Sequence, residues 1–273
     1  MSDAPSMAEL CDDLRSEHEW LRTLVEKLDA SGLMTPTPAE GWSIADQLTH
    51  LAFFDGKAVQ AAVDPDAFAA EVARAIDDIE GYEQAYLEMG RSKSAFDLLG
   101  WFQGSRDRLI NFFSRIDPKE RLPWYGPPMS ARSSATARFM ETWAHGLDVA
   151  DALGVERPAK DNIRHVCDLG VRTRTFTFVL RGLPEPTAPV RVALTAPSGS
   201  TWEWGESESD SVSGPAMDFA MVVTQRRNLR DTSLLVTGPA ATEWMTIAQC
   251  FAGPPGPGRE PRDVAGPGRE PRD

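Results

Sequence analysis

The sequence predicts an N-terminal four-helix bundle followed by a small α+β domain. Three observations carry the prediction. Apolar residues recur at helical spacing as far as residue 153, short alternating runs take over after Pro158, and proline and glycine crowd the last stretch. The expected boundaries are 1–158 for the bundle, 159–255 for the α+β domain and 256–273 for a Pro/Gly-rich tail.

Within residues 7–28, Leu10, Leu14, Leu21, Leu24, Val25 and Leu28 repeat on one helix face, and a loop with Gly32, Pro36 and Pro38 follows. Ser43 opens the next helix as an N-cap with Asp46 at the third helical position, a capping-box pattern. Ile44, Leu48, Leu51 and Ala52 run along its inner side. An alanine-rich helix is expected over 66–88. Another is expected over 92–116, with Phe96, Leu99, Phe102, Leu109, Ile110 and Phe113 as its stripe and Asp117-Pro118 as its stop. The segment LPWYGPPMS (122–130) cannot be helical throughout. It reads as a loop that packs Trp124 and Tyr125 onto a groove or walls a pocket with them. A helix resumes over 131–153 and closes at Gly154, which completes the bundle.

Beyond Pro158, residues 162–180 read as helical and GLPEPTAP (182–189) as a link. VRVALTAP and TWEWG read as two hairpin strands joined by Ser198-Gly199-Ser200. The acidic turn ESESD leads to a helix over 215–225, a strand over 234–236 and a last helix over 240–251. The octapeptide GPGREPRD occurs at 256–263 and again at 266–273; Pro and Gly at this density build no core, so the second copy is expected to be disordered or to pack only locally.

At 41% hydrophobic and 25% charged, the chain has ample material for a soluble globular core. Its 41 acidic against 28 basic residues give a net charge of −13, which disfavours nucleic acid and anionic membrane as partners. Cys11, Cys167 and Cys250 form no close pair, as suits buried thiols in a reducing compartment. Acids stand where a signal peptide needs a basic and then an apolar run, and no stretch approaches a bilayer span; the expected location is cytoplasmic. The oligomeric state stays open, a homodimer included.

Of the four histidines, His18 sits among charged neighbours, where solvent exposure weighs at least as much as function, and His165 in a polar first turn reads as a surface residue or one making a local hydrogen bond. His50 falls next to the apolar stripe of its helix, with Asp46 one turn earlier on the same side. Glu141 and His145, at i and i+4, project from one face of another helix. A carboxylate and an imidazole one turn apart can grip one ion, and His50 from a facing helix would complete a His2Glu set with open coordination positions. Spacing alone equally accommodates a helical ion pair or a buried His–Glu hydrogen bond.

GWSIADQLTHLAFFD (41–55) resembles the second-helix signature of the DinB-like superfamily, and ETWAHGLDVADALG (141–154) resembles the fourth-helix signature of its mycothiol-dependent maleylpyruvate isomerase branch. DFAMVVTQRRNLRDTSLLVTG (218–238) and EWMTIAQCFAGPPGPGR (243–259) are similar to an uncharacterised actinobacterial metal-binding subgroup of that branch. The resemblance implies a DinB-like bundle, a sterol-carrier-like α+β domain, and His50, Glu141 and His145 as ligands of a divalent metal, usually zinc. It implies Asp46 and Asp148 as partners of the ligating imidazoles. Arg226 and Arg227, with Trp124 and Tyr125, become the expected binders of a thiol cofactor, mycothiol, or of a carboxylate substrate.

The implied activity is an isomerase or S-transferase acting on a small electrophilic or carboxylate substrate. The metal would hold the thiol as a thiolate or polarise a carbonyl. The TQRR segment and GPPGPGR tail depart from the best-known members, so maleylpyruvate is not assumed as the substrate. Two other readings fit the same residues: a non-catalytic binding protein whose metal staples the bundle, and a non-haem iron enzyme using the His2Glu set.

Overall fold

In the computed structural model, which describes residues 6–262, the chain forms two units, Met1–Arg157 and Pro158–Asp273. The first is built on four long helices: α1 (Met7–Val25), α3 (Ile44–Val63), α6 (Ala95–Phe113) and α7 (Ala131–Leu153). Between them lie the short α2 (Ala30–Leu33), then α4 (Pro65–Asp77) and α5 (Ile79–Arg91). Each long helix starts at a serine whose hydroxyl accepts from the third helical N–H: Ser6, Ser43, Ser94 and Ser130. Such a cap is worth about 1 kcal/mol. The capping box expected at Ser43 is formed, with Asp46 accepting from the Ser43 backbone at 2.9 Å. Gly154 closes α7 in the left-handed conformation (φ 65).

α3 packs against α5, α6 and α7, and α1 against α6 and α7. Leu21, Val25, Ile44, Leu48, Leu51, Phe102 and Val149 interlock where α1, α3, α6 and α7 meet. α5 can approach α3 because Gly90 faces Thr49; a Cβ at Gly90 would lie 1.7 Å from the Thr49 hydroxyl. α7 is buried almost all round from Phe139 to Ala150, so it serves as the central post.

The single helix expected over 66–88 is two helices. Asp78 leaves the helical region (φ −144, ψ 84) and turns its carboxylate onto the N–H of Gly81 at 2.9 Å, capping α5. Aspartate competes with the helical backbone in this way, and alanine richness does not reveal it. The Pro-rich loop is tied at its base by a two-residue ladder, β1 (Arg121–Leu122) against β2 (Met129–Ser130). His18 and His165 are both buried, not solvent-exposed. His18 stands one turn from Leu14 and Leu21, on the face of α1 that packs inward. Among the described residues no helix is long and apolar enough to cross a membrane.

Two buried polar features lock the bundle. Asp55 of α3 takes Arg106 Nε of α6 at 2.8 Å on one oxygen and Arg138 Nε of α7 at 2.9 Å on the other. Arg157 ion-pairs with Glu17 and lies between the rings of Trp20 and Trp143, 4.4 and 4.8 Å from their centroids.

The second unit has α8 (Arg164–Arg172) and α9 (Arg174–Leu180), broken at Thr173, where one helix was expected. Its sheet has the order β4-β3-β5-β6. β3 (Arg191–Thr195) and β4 (Thr201–Trp204) form the expected antiparallel hairpin. β5 (Ser211–Pro215) pairs parallel with β3 and antiparallel with β6 (Leu235–Thr237). β5 was not expected, because its partner lies across a connection that local sequence does not show. α10 (Ala216–Val223) packs on β3, β5 and α8, and α11 (Pro239–Ile247) on β6 and α9; Val192, Leu194, Val212, Phe219 and Trp244 make the core.

Of the tail, the first GPGREPRD copy is held to this unit as far as Arg262. Arg181 donates to the Gly256 carbonyl at 3.1 Å and Asn228 to that of Arg259 at 2.8 Å. The second copy lies outside the described residues. All three cysteines are buried and free, as expected.

Two outcomes are expected. Asp55→Ala leaves two buried guanidinium groups without their carboxylate and should lower stability by about 3–5 kcal/mol in urea unfolding. His18 has its pKa lowered from 6.5 to about 4 by burial first and then by the Arg106 guanidinium. The folded chain therefore keeps this ring neutral, and its contribution is complete above pH 6.5 and lost as pH falls toward 4. His18→Gln should flatten that loss, by up to about 3 kcal/mol across the window, in denaturation curves taken at successive pH values.

Candidate metal centre

His50 projects from the second turn of α3, and Glu141 and His145 from successive turns of α7. The packing of α3 on α7 brings the three together: one nitrogen or carboxylate oxygen from each lies within 4.8 Å of the others. His50 Nε2 is 3.4 Å and His145 Nε2 3.1 Å from the same oxygen, Glu141 Oε2. The ring centroids of the two histidines are 4.4 Å apart. The side chains keep 17%, 10% and 19% exposure for His50, His145 and Glu141, so the cluster is sunk but reachable from solvent.

The far side of each imidazole is held. His50 Nδ1 meets the Tyr86 hydroxyl of α5 at 3.2 Å, and His145 Nδ1 makes a short contact with Gln47 Oε1 of α3. Burial, then the carboxylates of Glu83 and Glu141, push the Tyr86 phenol up and keep it a neutral O–H. Burial also opposes ionisation of Glu141, but hydrogen bonds from His145 and His50, together with their charge, hold its carboxyl well below the usual carboxylate range. Two ring nitrogens and a carboxylate oxygen turned on one point repel unless a cation lies among them, whether protons or a metal ion. The donor set therefore fits a divalent ion.

Aromatic rings surround the cluster. Trp42 stacks on His145 (5.8 Å, 13°), and Phe54 lies 4.7 Å from His50. Trp124 and Tyr125 stand one ring further out, 6.3 and 5.5 Å from Phe54. Their loop is fastened where the Tyr82 and Tyr125 hydroxyls approach to 2.6 Å and Tyr82 donates to Glu71, itself bridged to Lys57 at 2.6 Å. Arg226 and Arg227 belong to the second unit, in the turn after α10, where Gln225 is left-handed (φ 58) and Arg226 donates to the Thr224 carbonyl at 2.7 Å.

Asp46 is not a partner of a histidine; it completes the Ser43 cap and takes Arg91 Nε at 2.8 Å. Asp148 is buried. The partners that sequence reasoning missed are Gln47 and Tyr86. Gln47 carried a signal, a polar residue inside the apolar side of α3 and one turn before His50. Tyr86 carried none, since its role depends on how α5 docks.

Residues 14–150 match the family model of the mycothiol maleylpyruvate isomerase N-terminal domain. Uncharacterised proteins from two strains of Mycobacterium tuberculosis are 46% identical over 90% of this chain and 96% of their own length. Two solved structures share the fold: the mycothiol-dependent maleylpyruvate isomerase, at 15% identity, and a histidine-to-alanine variant of it, at 14%. Both superpose with a TM-score of 0.56 over 81% of this chain and 90% of theirs. A chain whose first unit carries this match, and which aligns with its mycobacterial relatives almost end to end, belongs to the mycothiol maleylpyruvate isomerase N-terminal domain family.

Proposed function

We propose that the protein is a metal- and thiol-dependent isomerase or S-transferase, acting on a small electrophilic or carboxylate substrate with mycothiol as the thiol. His50, Glu141 and His145 would hold the ion, zinc first. One observation carries the reading: three donors from two helices, 91 residues apart between His50 and Glu141, meet at one carboxylate oxygen. Membership of a family described by mycothiol and maleylpyruvate isomerase supports the thiol and the isomerase class.

The chain's own residues then have definite tasks. With an ion in place of the protons they share with Glu141, His50 and His145 would offer neutral nitrogen donors and Glu141 one negative charge. Three protein donors leave coordination positions open for a small molecule. A divalent ion there would lower the pKa of a bound thiol and keep it in the nucleophilic thiolate form. Trp42, Phe54 and Tyr86 limit water around the donors, and Trp124 and Tyr125 extend that wall. The buried cysteines are poor nucleophile candidates; burial raises the Cys167 thiol far above its ordinary value, so the reacting sulfur is assigned to the small molecule. Arg226 and Arg227 are the proposed carboxylate binders, a role that guanidinium geometry supports.

His50→Ala, His145→Ala and Glu141→Ala should each abolish stoichiometric zinc in elemental analysis while circular dichroism shows an intact helical fold. Zinc-loaded protein incubated with mycothiol and a cell metabolite extract should yield isomerised products or new thiol conjugates by mass spectrometry. Undiminished zinc in the double histidine variant would defeat the ligand assignment, and iron with oxygen consumption would replace the thiol chemistry by an oxygenase.

A further inference from the structure

We propose that Thr37 and Gln47 form a hydrogen-bond relay that keeps a proton on Nδ1 of His145, so that Nε2, the nitrogen turned to Glu141, is the one available to a cation. The purpose of the relay rests on the metal reading above; its direction rests on donor and acceptor chemistry alone.

The relay starts at the backbone carbonyl of Trp42, which can only accept. The Thr37 hydroxyl donates to it at 2.9 Å, and the Thr37 N–H donates to the same oxygen at 2.8 Å. A hydroxyl has one hydrogen, so toward Gln47 the Thr37 oxygen can only accept. It does so from Gln47 Nε2 at 2.8 Å. That turns the amide so that Oε1 faces His145 Nδ1, and the contact there is short. An amide oxygen cannot donate, so Nδ1 must carry the proton. A neutral imidazole has one N–H. Nε2, 3.1 Å from Glu141 Oε2, then takes the cation: a second proton shared with that carboxylate, or a metal ion in its place.

The surroundings make this arrangement hard to reverse. Gln47 is fully buried, so a flipped amide finds no water to satisfy it. The loop that carries Thr37 is fastened to the first turn of α3 by the Pro36–Ser43 bridge and by the Ile44 N–H on the Thr35 carbonyl at 3.0 Å. The ring of Trp42 also stacks on His145, so one residue ends the relay and holds the face of the imidazole. His50 has no equivalent. Its Nδ1 meets the Tyr86 hydroxyl, which can donate or accept and so dictates no tautomer. Thr37 and Gln47 act through His145 and are positioning residues.

The test compares the full chain with Gln47→Leu, Thr37→Val and Gln47→Glu, using zinc ion against a chromophoric chelator, with thermal unfolding as the check on the fold. Loss of the relay should weaken zinc by about 10- to 100-fold in Gln47→Leu and Thr37→Val. Gln47→Glu still offers an oxygen to Nδ1 and should retain the affinity. The nitrogen-15 shifts of His145 in zinc-free protein at alkaline pH give a second readout that needs no metal. They should place a proton on Nδ1 in the native chain and a mixture of both ring sites in Thr37→Val. Zinc affinity unchanged in both Leu and Val variants, or Nε2 as the protonated nitrogen in the native chain, would overturn the relay. A native chain that takes up no zinc at all would sink the metal reading instead, while the nitrogen shifts would still decide the relay.

Discussion

Two imidazoles and a carboxylate turned toward one point need a cation among them, protons or a metal ion, and the bundle is organised around holding them there. Free in water, such groups would separate. Here His50 cannot leave because α3 is pinned between α5, α6 and α7, and Glu141 and His145 cannot leave because α7 is buried along its inner half.

Asp55 sets that geometry from one turn beyond His50. By binding Arg106 of α6 and Arg138 of α7 with its two oxygens, it fixes the spacing and rotation of three helices at once. Such a buried network is weak evidence for stability, since apolar residues can often replace it without loss. Its contribution is better understood as register: a slip of α7 by one residue would break the Arg138 contact with Asp55 and the Arg106 contact with Thr142, and carry Glu141 and His145 off the face that meets His50. Trp42 lies against both histidines, and Phe54, Trp124 and Tyr125 continue outward from His50 on the same unit.

What the sequence discloses is what nearby residues determine. Ser43 with Asp46, Gly154 after α7, and the i, i+4 pair of Glu141 and His145 are local patterns, and each was readable. His50 was offered as third donor from its place beside the apolar stripe, and the resemblance tied it to the other two, since spacing alone could not show that α3 faces α7. What escaped was tertiary or competitive. The break at Asp78 depends on a side chain outbidding the helix backbone. β5 depends on a partner strand across a distant connection. His18 was misjudged because its charged neighbours drew more weight than its place between Leu14 and Leu21. Gln47 was not singled out, although a glutamine on an inward helix face must bond to something.

An anomalous difference map from crystals of the zinc-loaded chain, recorded on both sides of the zinc absorption edge, bears most directly on the central claim. The expected result is one strong peak within about 2.0–2.2 Å of His50 Nε2, His145 Nε2 and a Glu141 oxygen. A peak elsewhere, or a map that leaves the point between these three side chains empty while the crystals contain zinc, would contradict it.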